Sequence, residues 1–333
     1  MAKAWVLASR PQGEPTDENF RLEDRSTGEL KEGEIRVANR WLSVDPYMRG
    51  RMNDVKSYVP PFQVGEPMQG GAVGEVVESR NDQVKTGAHV LHMNGWRDEA
   101  VVDASKSAME GGVQPLPDGI DPKLFLSVMG LTGATGYFGL LKTAEAREGD
   151  IVFVSAAAGA VGSAVVQIAK AKGMTVIGSA GGPGKCAWVK ELGADECIDY
   201  KAGPVLKALS AAAPKGIDVY FDNVGGDHLD AAYAIARNNA RFAICGMIDH
   251  YNDGHPLELR FFMRTISARI RTQGFIYTDY AAHMSDFLAE MGGWVQSGTV
   301  TSRETVHEGL DTMPDAFRGL FSGGNTGKML VKV

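Results

Sequence analysis

Residues 151–162 read Ile-Val-Phe-Val-Ser-Ala-Ala-Ala-Gly-Ala-Val-Gly, and no other stretch restricts the fold of this chain as tightly. Five residues suited to a buried parallel strand run into a turn of small residues, and a helical pattern follows with apolar groups at Val161, Ala164, Val165, Ile168 and Ala169. Strand, turn and helix in this order build the phosphate end of a dinucleotide site. A helix N-terminus offers unpaired N–H groups and partial positive charge, and only small residues let a phosphate come close. Against the G-x-G-x-x-G pattern, Ala157 stands at the first glycine, with Gly159 and Gly162 at the second and third. The letters Gly-Ala-Val-Gly also occur at 71–74, but Glu-Val-Val-Glu follows with no helical period, so only the later copy has a strand before it and a helix after it.

The chain around this stretch divides in two. From Met1 to about Val113 the signals are short and β-like, at residues 4–7, 34–37, 71–77, 89–92 and 99–102, with turn-rich segments between them. Asp121-Pro122 is a helix start, supported by the apolar run 124–129. Beyond it strands and helices alternate: strands at 151–155, 175–177, 197–200, 217–221, 241–245 and 271–275, with helices from Ala160, Gly184, Val205 and Asp227. This is the pattern of an α/β, doubly wound parallel sheet. The alternation stops near Thr299, and the strand-like ending 327–333 is expected to rejoin the first domain. The domains are therefore read as 1–121 plus 300–333, and 122–299.

Charge and cysteine content exclude several classes. With 34 Lys and Arg against 41 Asp and Glu, the net charge is −7, which gives no footprint for nucleic acid. The uncharged run 151–169 approaches membrane-spanning length, but Ser155, Ser163 and Gln167 break it where a turn and helix are expected, so no membrane association is predicted. Arg10 interrupts the first apolar run too early for a signal-peptide core. Cys186, Cys197 and Cys245 are an odd, widely spaced set, expected to be free thiols in a reducing, cytoplasmic setting.

A site that prefers NAD places an acid about 20 residues past the glycine turn, on the ribose 2′-hydroxyl. Here no Asp or Glu occurs between Asp150 and Glu191, and the second strand leads through Gly-Gly-Pro-Gly to Lys185. The missing acid and the positive field favour a 2′-phosphate, hence NADP(H).

The chain also resembles the medium-chain dehydrogenase/reductase superfamily, in the zinc-independent branch of leukotriene B4 dehydrogenase/prostaglandin reductase, alkenal double-bond reductase and curcumin reductase. The resemblance covers nearly the whole chain. It lies in Ser-Val-Asp-Pro-Tyr-Met-Arg at 43–49, the glycine turn at 155–162, Asp-Tyr-Lys at 199–201, Val-Tyr-Phe-Asp-Asn-Val-Gly-Gly at 219–226, Cys-Gly-Met-Ile at 245–248 with Tyr251-Asn252, and Asn-Thr-Gly-Lys at 325–328. It implies a Rossmann domain inserted in a GroES-like β-barrel domain that carries the substrate side, NADPH as cofactor, and a homodimer. Position by position it makes Gly159, Ala160, Val161 and Gly162 the pyrophosphate turn and gives Lys185 and Tyr200 the 2′-phosphate. It brings Asn223 to the nicotinamide ribose and lines the nicotinamide half with Cys245, Gly246, Met247, Tyr251, Phe275, Ile276 and Asn325. The chain departs from the branch at Gly184, where an acid is common, and at Asp249-His250 before Tyr251.

Two rival chemistries lack their residues. Zinc catalysis needs three placed ligands. The first domain has no cysteine, and His89 and His92 point to opposite faces of a predicted strand, so no metal is expected. The Tyr-x-x-x-Lys pair of short-chain dehydrogenases and a G-x-S-x-G elbow are both absent. What remains is hydride transfer to an activated C=C bond of an α,β-unsaturated aldehyde or ketone. The hydride enters at the β-carbon, and the enolate oxygen needs a hydrogen-bond donor. Tyr251 is the first candidate for that donor and Tyr47 the second. Cys245 is read as a packed thiol, and Arg49 as solvated or locally paired. Quinone reduction, and cofactor binding without turnover, are the alternatives.

Overall fold

The computed structural model describes residues 1–252 and 254–333, Met109 by its backbone alone. Two units emerge from its internal contacts: Met1–Leu126 together with Glu304–Val333, and Ser127–Arg303. In the first, short strands with alternating burial follow one another: β1 (Ala2–Leu7), β2 (Phe20–Arg25), β3 (Glu34–Ser43), β4 (Ala72–Ser79), β5 (His89–His92), β6 (Glu99–Asp103) and β7 (Val113–Pro115), with the short helix α1 (Tyr47–Arg51) after β3. β3 pairs antiparallel with both β4 and β6, and its inward Ile35 and Val37 are fully buried with Val76 and Val90. Gly74 lies so close to β3 that a Cβ there would fall 2.5 Å from the Ala38 carbonyl oxygen. The glycines at 71–74 therefore serve strand packing.

The second unit opens with α2 (Leu131–Phe138), which runs into a single π turn at Gly139–Thr143. Strands and helices then alternate: β8 (Ile151–Val154), α3 (Ala160–Ala171), β9 (Thr175–Ala180), α4 (Pro183–Glu191), β10 (Glu196–Asp199), α5 (Val205–Ala212), β11 (Ile217–Asp222), α6 (Gly226–Ile235), β12 (Ala236–Ile244), α7 (Arg264–Ser267), β13 (Arg271–Gly274) and α8 (Met284–Gln296). Among the described residues six strands form one sheet in the order β10-β9-β8-β11-β12-β13, all pairs parallel. α5 and α6 cover one face against Phe153, Ile177 and Tyr220, while α4 sets Val189 against Gly178 on the other. This is the doubly wound Rossmann sheet, and its strand order reverses between β8 and β11. Val152, Phe153 and Val154 are fully buried, as a strand covered on both faces requires.

One local expectation changes, and two elements appear beyond those expected. Asp121-Pro122 starts only a 3₁₀ turn, Pro122–Leu126, capped by Asp121 Oδ1 on the Lys123 N–H at 3.0 Å. Gly130, with φ −114° and ψ −149°, separates that turn from α2. β2 and α8 are not among the expected elements, although Phe287, Leu288, Met291, Trp294 and Val295 of α8 recur at helical spacing.

The chain then returns to the first unit through β14 (Glu304–Glu308), α9 (Met313–Phe321) and β15 (Lys328–Lys332). β15 pairs parallel with β14 and antiparallel with β3, completing a mixed sheet of seven strands among the described residues. Lys328 is fully buried. Its Nζ donates to Asp45 Oδ1 at 3.1 Å and to the carbonyls of Val44 and Met329 at 2.9 and 3.0 Å.

His92 is also fully buried, and its surroundings fix its tautomer. Asn39 donates through Nδ2 to the carbonyls of Asn94 and Arg97, so its Oδ1 accepts from His92 Nε2 at 2.9 Å, while His92 Nδ1 accepts the Asn94 N–H at 3.1 Å. Burial, with the Arg97 charge adding to it, pushes this imidazole down to about 3. The unfolded chain binds the proton first as pH falls from about 6.5, so the stability present above that value is lost toward pH 3, at up to about 1.4 kcal/mol per pH unit. Denaturant melts at pH 7 and pH 5 are expected to show a shallower loss of stability in His92→Gln than in the parent chain.

Candidate active site

The glycine turn is held from three directions. Ala156 takes φ 47°, the Gly159 N–H returns to the Ala156 carbonyl at 2.9 Å, and the Ala157 N–H donates to the Ser179 carbonyl of β9 at 2.8 Å. Gly162 must lack a side chain, because a Cβ there would fall 2.2 Å from the Ala156 oxygen. Gly159 is the N-cap of α3, no side chain caps that terminus, and Ala160, Val161 and Gly162 form its first turn. Such a terminus presents N–H groups to an anion, which fits the pyrophosphate of a dinucleotide. Ala157 occupies the first glycine position because β9 places Gly178 opposite it. A Cβ on Gly178 would lie 2.9 Å from that of Ala157 and 2.6 Å from Val189 Cγ1.

Beside this turn, at the reversal between β8 and β11, lies Asp222, which is completely buried. Its Oδ1 accepts from Tyr220 Oη at 2.6 Å, Ser155 Oγ at 3.2 Å and the N–H groups of Val224 and Gly225 at 2.9 Å each. Oδ2 has no partner among the described residues, and burial pushes the carboxyl up against the pull of those donors. The Asp222 carbonyl receives the N–H groups of Cys245 and Gly246 at 2.9 and 3.1 Å, tying the end of β12 to the end of β11. Asn223 is oriented by Ser155: its N–H reaches Ser155 Oγ at 2.9 Å and its Nδ2 the Ser155 carbonyl at 2.8 Å, which turns the amide oxygen away from that strand.

The segment after β12 folds back over the start of α6. Ile248 and Asp249 donate their N–H groups to the carbonyls of Asn223 and Val224, and Met247 packs against Gly225. The Tyr251 hydroxyl lies on Gly246, where a Cβ would meet it at 2.8 Å, and accepts the Met247 N–H at 3.4 Å. Burial, with Asp222 adding to it, pushes the Cys245 thiol up to about 12, which disfavours its thiolate.

At the carboxyl end of β9, Gly181 is flanked by Tyr200 and Lys201. A Cβ on it would lie 2.7 Å from Tyr200 Oη and 3.0 Å from Lys201 Cε. Lys185, in the first turn of α4, is lowered by burial and then by repulsion from Lys201, so two cations face this corner. Charge counting along the chain missed Lys201 and also Asp199, which β10 delivers here. Its Oδ1 accepts the N–H groups of Gly182 and Lys201 at 2.8 and 3.0 Å, so it braces the corner. Burial, Asp199 and Asp249 push the Tyr200 phenol up, which keeps its proton available for donation.

Phe275 is buried against Gly139 and Phe221, and Ile276 caps the 3₁₀ turn that follows, its N–H on Asp279 Oδ2. In the first unit Tyr47 opens α1 and packs on a core with Met48, Phe62 and Trp96. Asn325 donates from Nδ2 to the Gly327 carbonyl, closing the turn before β15. Of the two alternatives for Arg49, solvation is excluded, since it is 4% exposed; it donates locally to Asn53 Oδ1, an amide rather than an acid, and to the more distant Gly13 carbonyl.

Residues 3–109 match the family described as N-terminal domain of oxidoreductase, and residues 160–291 the family described as zinc-binding dehydrogenase. The chain is 41% identical to NADPH-dependent curcumin reductase of Escherichia coli (strain K12), over 99% of this chain and 96% of that protein. It is 39% identical to prostaglandin reductase 1 of Bos taurus, over 99% of both. Among solved structures, that of CurA in complex with NADPH from Vibrio vulnificus superposes with a TM-score of 0.92 at 42% identity, covering 99% of each chain. The zinc of the second family's description does not fit these residues. Among the described residues no group of three or more His, Cys, Asp or Glu is placed to hold a metal ion, and both nitrogens of the buried His92 are engaged.

The pairing of Ala157 with Gly178 yields a stability test. Gly178→Ala overpacks β9 against the glycine turn and against Val189 of α4 and is expected to lower stability by about 1–3 kcal/mol. Adding Ala157→Gly should restore part of that loss in the same denaturant titration, because it removes one of the two contacts under 3.0 Å and leaves that with Val189.

Proposed function

The chain belongs to the zinc-independent branch of the medium-chain dehydrogenase/reductase superfamily, and we propose that it is an NADPH-dependent reductase of the C=C bond of α,β-unsaturated aldehydes and ketones. The observation that carries the reading is the Tyr251 hydroxyl, held over Gly246 at the carboxyl end of β12. Ligands of open α/β sheets collect at that end. When bound, NADPH supplies a hydride to the β-carbon of the substrate. The first turn of α3, from Ala160 to Gly162, holds the pyrophosphate, while Lys185, Lys201 and Tyr200 hold the 2′-phosphate. Asn223 presents its amide oxygen toward the nicotinamide ribose, and Cys245, Gly246, Met247, Phe275 and Ile276 complete the nicotinamide side within the second unit.

The Met247 N–H, donated to the Tyr251 oxygen, and the packing of that oxygen on Gly246 fix the hydroxyl in place, and in the reaction it would donate its proton to the substrate carbonyl oxygen. That donation stabilises negative charge as it develops on the substrate carbonyl oxygen. Tyr47 is the second candidate donor, in the first unit, to which we assign the substrate side.

A homodimer is part of the reading. β13 is an edge strand whose four residues are all exposed, and Phe262, Met263 and Ile266 beside it are 51%, 72% and 72% exposed. Open edges with adjacent apolar surface favour pairing with a second chain. Sedimentation at micromolar concentration is expected to give twice the chain mass, and a monomer there removes this part.

Loss of NADPH absorbance with a 2-alkenal, a benzylidene ketone and a quinone, and with NADH for comparison, tests the activity. Turnover is expected with the first two and with NADPH over NADH. Tyr251→Phe should lower kcat/KM for the enone about 10²- to 10³-fold, the worth of one oxyanion donor. An unchanged value in Tyr251→Phe with a large loss in Tyr47→Phe would move the role to Tyr47.

A further inference from the structure

Tyr200 stands on the surface, 38% exposed, yet its hydroxyl lies flush against the backbone at Gly181. An exposed tyrosine on the turn after β10 has two free torsions, so something must hold it there. The support is His228, the third residue of α6, whose ring meets that of Tyr200 edge to face with centroids 5.5 Å apart and planes at 75°.

His228 is itself locked. It is 6% exposed, its ring lies nearly parallel to Phe153 of β8 at 6.3 Å and 10°, and its Nε2 is 2.8 Å from Ser179 Oγ of β9, a hydroxyl that is completely buried. Two strands of the sheet thus fix one ring, and that ring fixes Tyr200. Burial pushes the imidazole down to about 4, so at neutral pH it is an uncharged support that adds nothing to the cations of Lys185 and Lys201. Along the chain nothing distinguishes His228 from any other histidine, because both its partners lie far away in sequence.

We propose that His228 is a positioning residue for cofactor discrimination: packed on Phe153 and bonded to Ser179, it holds Tyr200 over Gly181, where the tyrosine hydroxyl can meet the 2′-phosphate of NADPH. This rests on the NADPH reading above. It assigns part of the preference for the phosphorylated cofactor to a residue that touches no cofactor atom.

Titration calorimetry with NADP⁺ and NAD⁺, which needs no turnover, tests it on the parent chain, His228→Ala, His228→Phe and Tyr200→Ala. His228→Ala should weaken NADP⁺ binding about 2- to 10-fold, the worth of one aromatic edge-to-face pair, and leave NAD⁺ binding unchanged. His228→Phe keeps the ring and should retain most of the NADP⁺ affinity. Both variants strip Ser179 of its partner and lose stability for that reason, so the difference between them isolates the placement of Tyr200 from the packing of α6. If His228→Ala does not fold, His228→Leu fills the volume without an aromatic ring and carries the same expectation. In a Tyr200→Ala background the His228 substitution should cost no further NADP⁺ affinity.

Equal weakening of both nucleotides, or a phenylalanine variant no better than alanine, would overturn the inference while leaving the NADPH reading intact. A parent chain that binds NAD⁺ as tightly as NADP⁺ would overturn the 2′-phosphate assignment first, and the role of His228 with it.

Discussion

One carboxylate oxygen organises the reversal of the Rossmann sheet. Asp222 Oδ1 collects a phenol, a hydroxyl and two backbone N–H groups, and the carbonyl of the same residue collects two more. Six donors on one residue bind the ends of β8, β11 and β12 and the turn that starts α6. Asp222, Tyr220 and Ser155 are completely buried, and leaving a buried polar group of this kind unsatisfied costs about 1–3 kcal/mol. The arrangement therefore specifies a single geometry. Asn223, the Cys245-Gly246 turn and the support for Tyr251 all follow from it.

The first unit has a counterpart in the Lys328–Asp45 pair. The two residues lie in motifs 283 positions apart, one just before α1 and one at the start of β15. Removing one member of a buried pair costs about 3–5 kcal/mol, because the other charge is left without compensation, whereas replacing both by apolar groups is often tolerated. Such a pair selects one register more than it adds stability. Here the three acceptors around Nζ leave little freedom for β15 to slide along β3.

The parts legible along the chain are those whose signals are contiguous. The strand, turn and helix at 151–171 could be read because their periods follow directly on one another, and the copy at 71–74 could be set aside because its context is wrong. The alternation of strands and helices carried the architecture of the second unit. What stayed hidden depends on pairing across the sheet. Asp199 and Lys201 reach the end of β9 only because β10 lies beside it, and His228 acquires meaning only through Ser179 and Phe153. Helix α2, with its π turn, is built from Gly- and Thr-rich residues of low helical preference and is held by packing against α3, so its own residues do not announce it. For Arg49 the local acceptor Asn53 lies within reach of a sequence reading, while the Gly13 carbonyl, 36 residues away, does not.

The fit between Ala157 and Gly178 bears on how this turn can be inherited. The methyl of Ala157, on the turn after β8, occupies space that Gly178 of β9 leaves empty, and Val189 of α4 claims the rest of it. A motif scored residue by residue treats Ala157 as a lost glycine and Gly178 as unrelated, although the two share one volume. Grafting residues 151–162 alone onto another Rossmann sheet would carry only part of that arrangement. The transferable piece is the turn together with the neighbouring strand and the helix that packs on it.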